Sequence, residues 1–317
     1  MNGMLEVDVM PIKEFPQPTT SRYLTVNCDR HSNFSSFSSI HLLWNLQTLI
    51  FYGCFVQPIV LPSEIWEMSQ LRHIKIRPAV LPYPAENEKK HYTILENLDT
   101  LSEILDFRFS MGVLKRIPNM KKLRITYFND SREDWSYYSL YNLVYLSKLE
   151  SLYLKAKIFS SNIIGLPHSL KKLVLNGCRM PWEDMTVIGS LPNLEVLKLK
   201  DDAFEGPEWD LVEGEFVRLK LFSIGSSNLV QWRAEKIHFP CLETLVLEQM
   251  HDLEEIPSAK QILEEQLSMG IDDLQLYVTD DVYWRRRYEI SPRDSEEEEE
   301  EYDIEDALVM IRYLWET

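Results

Sequence analysis

Ten glycines are spread over 317 residues, and no two stand closer than eight apart (Gly206 and Gly214). A phosphate-cradling loop needs glycines a few residues apart so that the backbone can approach the anion, and neither GxGxxG nor the P-loop pattern can be written in this chain. Cys28, Cys54, Cys178 and Cys241 form no CxxC pair, and no HExxH or GxSxG occurs. His73, His168 and His238 fall in separate stretches, as solvated histidines do. Met250-His251-Asp252 spells a tripeptide known from nucleotide switches, but it only closes an apolar strand pattern. Arg285, Arg286 and Arg287 could hold a phosphate or a lipid headgroup; the glutamates at 296–301 are nearer partners for them. The chain is therefore expected to bind rather than catalyse, with no catalytic, cofactor-binding or metal residues of its own.

What would position a binding surface is a repeat. Leu170-Lys-Lys-Leu173-Val-Leu175-Asn-Gly-Cys178 is LxxLxLxxC, and Leu46, Leu49, Phe51 and Cys54 repeat it with one aromatic substitution. Further copies stand at Leu194, Leu197, Leu199 and at Leu242, Leu245, Leu247. Weaker ones stand at Leu71, Ile74, Ile76; Met120, Leu123, Ile125; Leu149, Leu152, Leu154; and Leu219, Phe222, Ile224. Leu24 with Val26 opens the series, a degenerate copy near Leu98 and Leu101 fills its one long gap, and Leu274 with Leu276 closes it. Ten or eleven units of about 25 residues result, the period of a leucine-rich repeat. One unit cannot bury its own leucines, whereas stacked units bury them in a continuous core. Prolines 62, 118, 167, 192, 240 and 257 recur at one phase and exclude a heptad-helix reading. The expected fold is an α/β leucine-rich-repeat solenoid, a curved horseshoe with parallel strands on its concave face and an irregular or helical convex side. Cys54 and Cys178, in the slot after the strand, are expected to be structural.

Composition agrees. Acids outnumber bases 50 to 33 for a net charge of −17, which disfavours nucleic acid as a partner. Residues 280–317 hold fourteen of the acids and five of the bases. Apolar residues make up 45% of the chain, as in a folded protein. The sequence shows no signal peptide, and Asn45, Gln47, Gln57 and Pro58 interrupt the most apolar stretch, 42–61, so no integral membrane span is expected. Three regions follow: 1–20, the N-terminal edge of a truncated repeat region, with Leu5, Val7 and Val9 as an apolar edge strand; 21–279, the solenoid, with a helix near 258–269; and 280–317, an acidic tail closed by a short amphipathic helix through Ile304, Leu308, Ile311 and Leu314.

The blocks LLWNLQTLIF (42–51), LPSEIWEMSQLRHI (61–74), LENLDTLSEI (95–104), RIPNMKKLRI (116–125), LPNLEVLKLKDDAFEGPEWD (191–210) and EIPSAKQILEEQLSMGIDDLQLYV (255–278) carry a resemblance. Over residues 20–280 the chain resembles the C-terminal leucine-rich-repeat region of plant intracellular immune receptors, the coiled-coil, nucleotide-binding (NB-LRR) proteins of the late blight resistance type. The resemblance implies plant defence in the cytoplasm or at the periphery of a membrane, sensing of pathogen effectors, restraint of a nucleotide switch and a hypersensitive response. It also implies the partners: the nucleotide-binding domain of such a receptor, and a pathogen effector or guarded host protein. ATP or ADP belongs to the nucleotide-binding domain, which this sequence lacks, so the chain is expected to be a fragment, a truncated product or a remnant. The other reading is an adaptor or decoy repeat protein, such as the substrate-recognition subunit of a ligase; an F-box helix pair before the repeats would favour it, and residues 1–20 show none.

Alternation along each strand predicts the binding face. Lys75, Arg77, Lys122, Arg124, Lys155, Lys172, Lys198 and Lys200 are expected to project from the sheet, with Tyr52 and Tyr153 among them and Glu248 the only acid on the eight best-aligned strands. Such a basic stripe in an acidic chain suits an acidic protein surface. For cofactors, the expected outcome is that calorimetry of the chain with ATP or ADP gives no binding isotherm, and a micromolar Kd would overturn the reading of the missing phosphate loop.

Overall fold

The computed structural model describes residues 4–7, 21–28, 38–53, 58–84, 92–128, 135–157, 164–233, 236–250 and 275–279. Cys54, the helix expected near 258–269, the arginine triplet, the acidic run and the closing amphipathic helix lie outside the described residues.

Among the described residues one sheet holds thirteen strands: a short one, Ile59–Val60, pairs beside His73–Val80, and twelve parallel strands run in chain order, each paired with the strand of the next repeat. The twelve are β1 (Met4–Val7), β2 (Tyr23–Cys28), β3 (Thr48–Gly53), β4 (His73–Val80), β5 (Thr100–Leu105), β6 (Lys122–Thr126), β7 (Ser151–Lys155), β8 (Lys172–Asn176), β9 (Val196–Lys200), β10 (Leu221–Gly225), β11 (Thr244–Glu248) and β12 (Gln275–Thr279). The register follows the LxL pairs. Leu49 faces Ile74, Leu123 faces Leu152, Leu173 faces Leu197, and Phe222 faces Leu245. Leu5 pairs with Leu24 and Val7 with Val26, so the apolar edge strand joins the sheet as its first member. At the other end Leu245 pairs with Leu276 and Leu247 with Val278. The last repeat therefore sits two residues later than the Leu274–Leu276 assignment, because partners on the neighbouring strand fix its phase.

Strands β3 to β11 are each entered through one tight turn. The N–H of the apolar residue three before the LxL pair donates to the carbonyl three residues earlier: Leu46 to Leu43, Leu71 to Met68, Leu98 to Leu95, Leu149 to Leu146 and Leu219 to Phe216. Both ends of each of these turns are buried, so the turn itself plugs the core. After the strand, Cys178 is buried with its Sγ 3.9 Å from the Leu154 carbonyl and 3.7 Å from that of Asn176. Burial pushes its thiol up to about 12, a value that suits a packing residue and not a nucleophile. On the return side, Trp182, Trp209 and Trp232 stack between repeats, with ring centroids 5.0 and 5.6 Å apart and planes within 18° and 6°.

A second row is written in charge. The residue two before each LxL pair gives its carbonyl to two N–H groups of the following repeat; that of Asp99, for example, accepts from Lys121 and Lys122, both at 2.8 Å. From Asp99 onward the row reads Asp99, Lys121, Glu150, Lys171, Glu195, Lys220, Glu243, alternating in sign at every step. Strand spacing of about 4.8 Å makes these side chains neighbours. Lys171 pairs with Glu150 at 3.5 Å and Lys220 with Glu243 at 2.9 Å. The Glu243 hydrogen bond, reinforced by charge from Glu243 and Glu195, holds Lys220 above the usual lysine range. Lys171→Glu would line up three carboxylates. About half-exposed pairs of this kind are worth little singly, so a loss of about 1 kcal/mol is expected at low salt. Urea unfolding reads it, and most of the loss should be recovered at high ionic strength; a salt-independent midpoint would show the row is only decorative.

Candidate functional site

Three positions per strand leave the core: the residue before the LxL pair, the one between its two apolar members, and the one after. In the first position Lys122 is exposed and Lys172 half-buried, with Ser151 between them in register. In the second, Lys75 is half-buried, while Arg124 and Tyr153 are neighbours with their side chains mostly covered. Lys198 shares that position but is 7% exposed, so packing of its stem dominates. In the third, Lys155 is exposed and Lys200 half-buried, with Asn176 between them. The Asn176 amide donates to Asp201 Oδ2 at 2.8 Å, and its buried Oδ1 accepts nothing within the described residues. Only the backbone of Arg77 and of Tyr52 is described; their side chains lie outside the described residues.

The register thus gathers Lys122, Arg124, Lys155, Lys172, Lys198 and Lys200 onto four adjacent strands, β6 to β9. Outer strands of such a set stand about 14 Å apart. Lys75 lies two strands away on β4, facing Ser102. Near it His73 Nδ1 is 2.9 Å from Asp99 Oδ1, and the Thr100 hydroxyl donates to the same oxygen at 2.8 Å. Toward the other end Glu248 closes the face on β11, half-buried.

One acid on this face escapes the repeat alignment. The degenerate repeat carries its two core residues three apart, Leu101 and Ile104, instead of two, and they pair with Leu123 and Ile125. The extra residue makes a bulge, and within it Glu103 adopts φ 51°. Its side chain comes to Arg124, whose Nη2 donates to Oε1 at 3.1 Å. The guanidinium also lies 4.3 Å from the centre of the Tyr153 ring. Burial raises the Tyr153 phenol, partly offset by the Arg124 charge. The signal was visible in the sequence as LSEI where LxL is the rule, but a repeat too irregular to align leaves its extra residue without an assigned direction. Among the described residues no three potential metal ligands gather, and no helix is long and apolar enough to cross a membrane.

No family model matches the chain. It is similar to late blight resistance proteins of Solanum demissum. Identity is 34% over 228 residues with the homolog R1B-13, 34% over 246 with the homolog R1B-16, and 32% over 257 with the late blight resistance protein R1-A. These alignments cover 70–75% of this chain, which spans only about a fifth of each relative's length. Among solved structures, a leucine-rich-repeat protein of Leptospira interrogans aligns with TM-score 0.49 at 20% identity, covering 80% of this chain and 61% of that one. The leucine-rich repeat domain of the type III effector XopL aligns with TM-score 0.38 at 17% identity, covering 87% and 76%.

Glu103, Arg124 and Tyr153 form a cluster that a regular repeat would lack, and it should behave as one. Arg124→Ala removes the guanidinium that donates to Glu103 and lies against Tyr153. A double-mutant cycle of Arg124→Ala with Glu103→Ala, read by urea unfolding, is expected to give a coupling of about 1 kcal/mol, above the median for exposed pairs. Additive losses would mean that the two side chains merely lie near each other.

Proposed function

We propose that this chain, a leucine-rich-repeat homologue of the late blight resistance proteins, is the protein-binding module of a disease-resistance receptor and that its sheet face is the surface that binds. The observation that supports this most is the gathering of six cations on β6 to β9 in a chain of net charge −17. Composition opposes such a patch; register supplies it. Exposed Lys122 and Lys155 would steer an acidic protein surface in, and the covered Arg124 and Tyr153 between them would give it an aromatic-cationic contact.

The partners that fit are the nucleotide-binding domain of a receptor of this type, whose switch the module would restrain, and a pathogen effector or guarded host protein that relieves the restraint. Sensing and restraint would then be competing uses of one face. In this reading ATP or ADP binds the nucleotide-binding domain and not the repeats, and the module acts in the cytoplasm, free or at a membrane periphery. Its role is recognition without catalysis.

The test avoids Arg124, whose reversal would set a carboxylate against Glu103. Lys122→Glu combined with Lys155→Glu changes two exposed side chains on the adjacent strands β6 and β7. Co-purification with a co-expressed nucleotide-binding domain is expected to fall about tenfold at low salt, with the difference shrinking as salt rises. Unchanged co-purification at low salt would show that the stripe is only a solvated surface.

A further inference from the structure

The sheet repeats one geometry across its strands and departs from it on the two sides of β5, where the register shifts against both β4 and β6. At that departure stands Glu103. Among the described residues it is the only non-glycine residue inside a strand with positive φ; the others lie in turns or just past strand ends. Left-handed backbone is unfavourable for a glutamate, and a Gly or Asn there would adopt it more readily. A bulge re-aims the side chain it carries, and unfavourable backbone persists where the surroundings over-determine it. What this bulge achieves is specific: it carries a carboxylate to the Arg124 guanidinium on β6, the first strand of the cationic patch.

That placement is peculiar for a surface that binds acids. Tyr153 lies against the guanidinium and fixes its plane, as a recognition arginine requires, while Glu103 takes up one of its N–H groups. Both partners keep some solvent access, with about a fifth of the Arg124 side chain and a quarter of that of Glu103 exposed (20% and 24%). A carboxylate arriving from solvent can therefore reach the same guanidinium. Lys122 lies two residues before Arg124 on β6 and Lys155 two residues after Tyr153 on β7, so the approach is flanked by exposed cations.

We propose that Glu103 is a resident carboxylate that occupies Arg124 in the unbound chain and is displaced by a carboxylate side chain of the partner. Arg124 on its Tyr153 platform is then the residue that reads the acidic partner, and Glu103 sets how acidic that partner must be. A partner offering one isolated carboxylate exchanges one ion pair for another and gains little. A partner with several carboxylates engages Lys122 and Lys155 as well, and so outcompetes the internal pair. The inference rests on the reading of the sheet face as an acid-binding surface, and deepens it.

The test uses the full chain and a fluorescent synthetic hexaglutamate peptide, with anisotropy measured at low salt. Glu103→Gln keeps size and hydrogen-bonding capacity but removes the competing charge, and is expected to tighten peptide binding about tenfold, as charge-assisted hydrogen bonds are stronger than neutral ones. Arg124→Lys placed in the Glu103→Gln chain should lose most of that gain, because an ammonium cannot reproduce the planar fork. Thermal unfolding of each variant establishes that the fold is retained. Binding that is unchanged or weaker in Glu103→Gln overturns the displaced-carboxylate proposal and leaves the surface reading standing. Failure of both the unaltered chain and Glu103→Gln to bind the peptide overturns both.

Discussion

The stacking of one repeat on the next through a single carbonyl is the constraint on which everything else in this protein depends. At each strand entry the carbonyl two residues before the LxL pair accepts two N–H groups of the following repeat, from Arg22 with Gln47 and Thr48 through Lys220 with Glu243 and Thr244. Once that step is set, the leucines fall in rows, because side chains of parallel in-register strands must superimpose. Core, sheet face and strand-entry edge are three readings of one register. A slip by one residue would drive Lys122 and Lys172 inward and Leu123 and Leu173 out. The alternating row from Asp99 to Glu243 discriminates against slips of a different kind: moving a repeat one unit along the stack would set like charges side by side.

The same register explains why this surface is rich in information while its core is monotonous. A side chain on the face has as neighbours the equivalent residues of the repeats before and after it. Residues a full repeat apart in sequence, such as Arg124 and Tyr153, become neighbours about one strand spacing apart. Basic residues are thereby brought together without any local run of them, which is how a chain of net charge −17 sets six cations on four adjacent strands. The face is not uniform. Lys122 and Lys155 are exposed, whereas Lys198 is only 7% exposed, so on the proposed reading steering and close recognition would fall to different residues.

What the sequence made legible follows from this. Wherever LxL was intact, strand, register and outward positions could be assigned from one leucine, and the assignments at Lys122, Arg124, Lys155, Lys172 and Lys200 place them on the sheet face. The expectation failed where the pattern lacked a second anchor. Near the end, Leu274, Leu276 and Val278 are all apolar and two apart, so either pair could be the core; only the pairing of Leu245 with Leu276 decides. At β5, one inserted residue made the repeat unalignable, and Glu103 went without a direction. The alternating charge row was present in the letters throughout. In a single repeat the residue in question precedes the strand and looks like any solvated polar position; its meaning exists only between repeats.

The irregular repeat is therefore more than a degraded copy. In a solenoid of identical units every face position would see the same neighbours, and the surface could vary only by residue type. A bulge changes geometry as well: it lets a residue of one repeat reach sideways to the guanidinium of the next, as Glu103 does to Arg124. The core tolerates this because Leu101 and Ile104 still meet Leu123 and Ile125, the extra residue being extruded toward the face. On the proposed reading, stability and specificity would be carried by separable features of the same strand, its two buried anchors on one side and the carboxylate set out of line on the other. If the sheet face binds acidic surfaces as proposed, a departure of this kind lets one repeat tune a single guanidinium while the buried anchors of the stack stay unchanged.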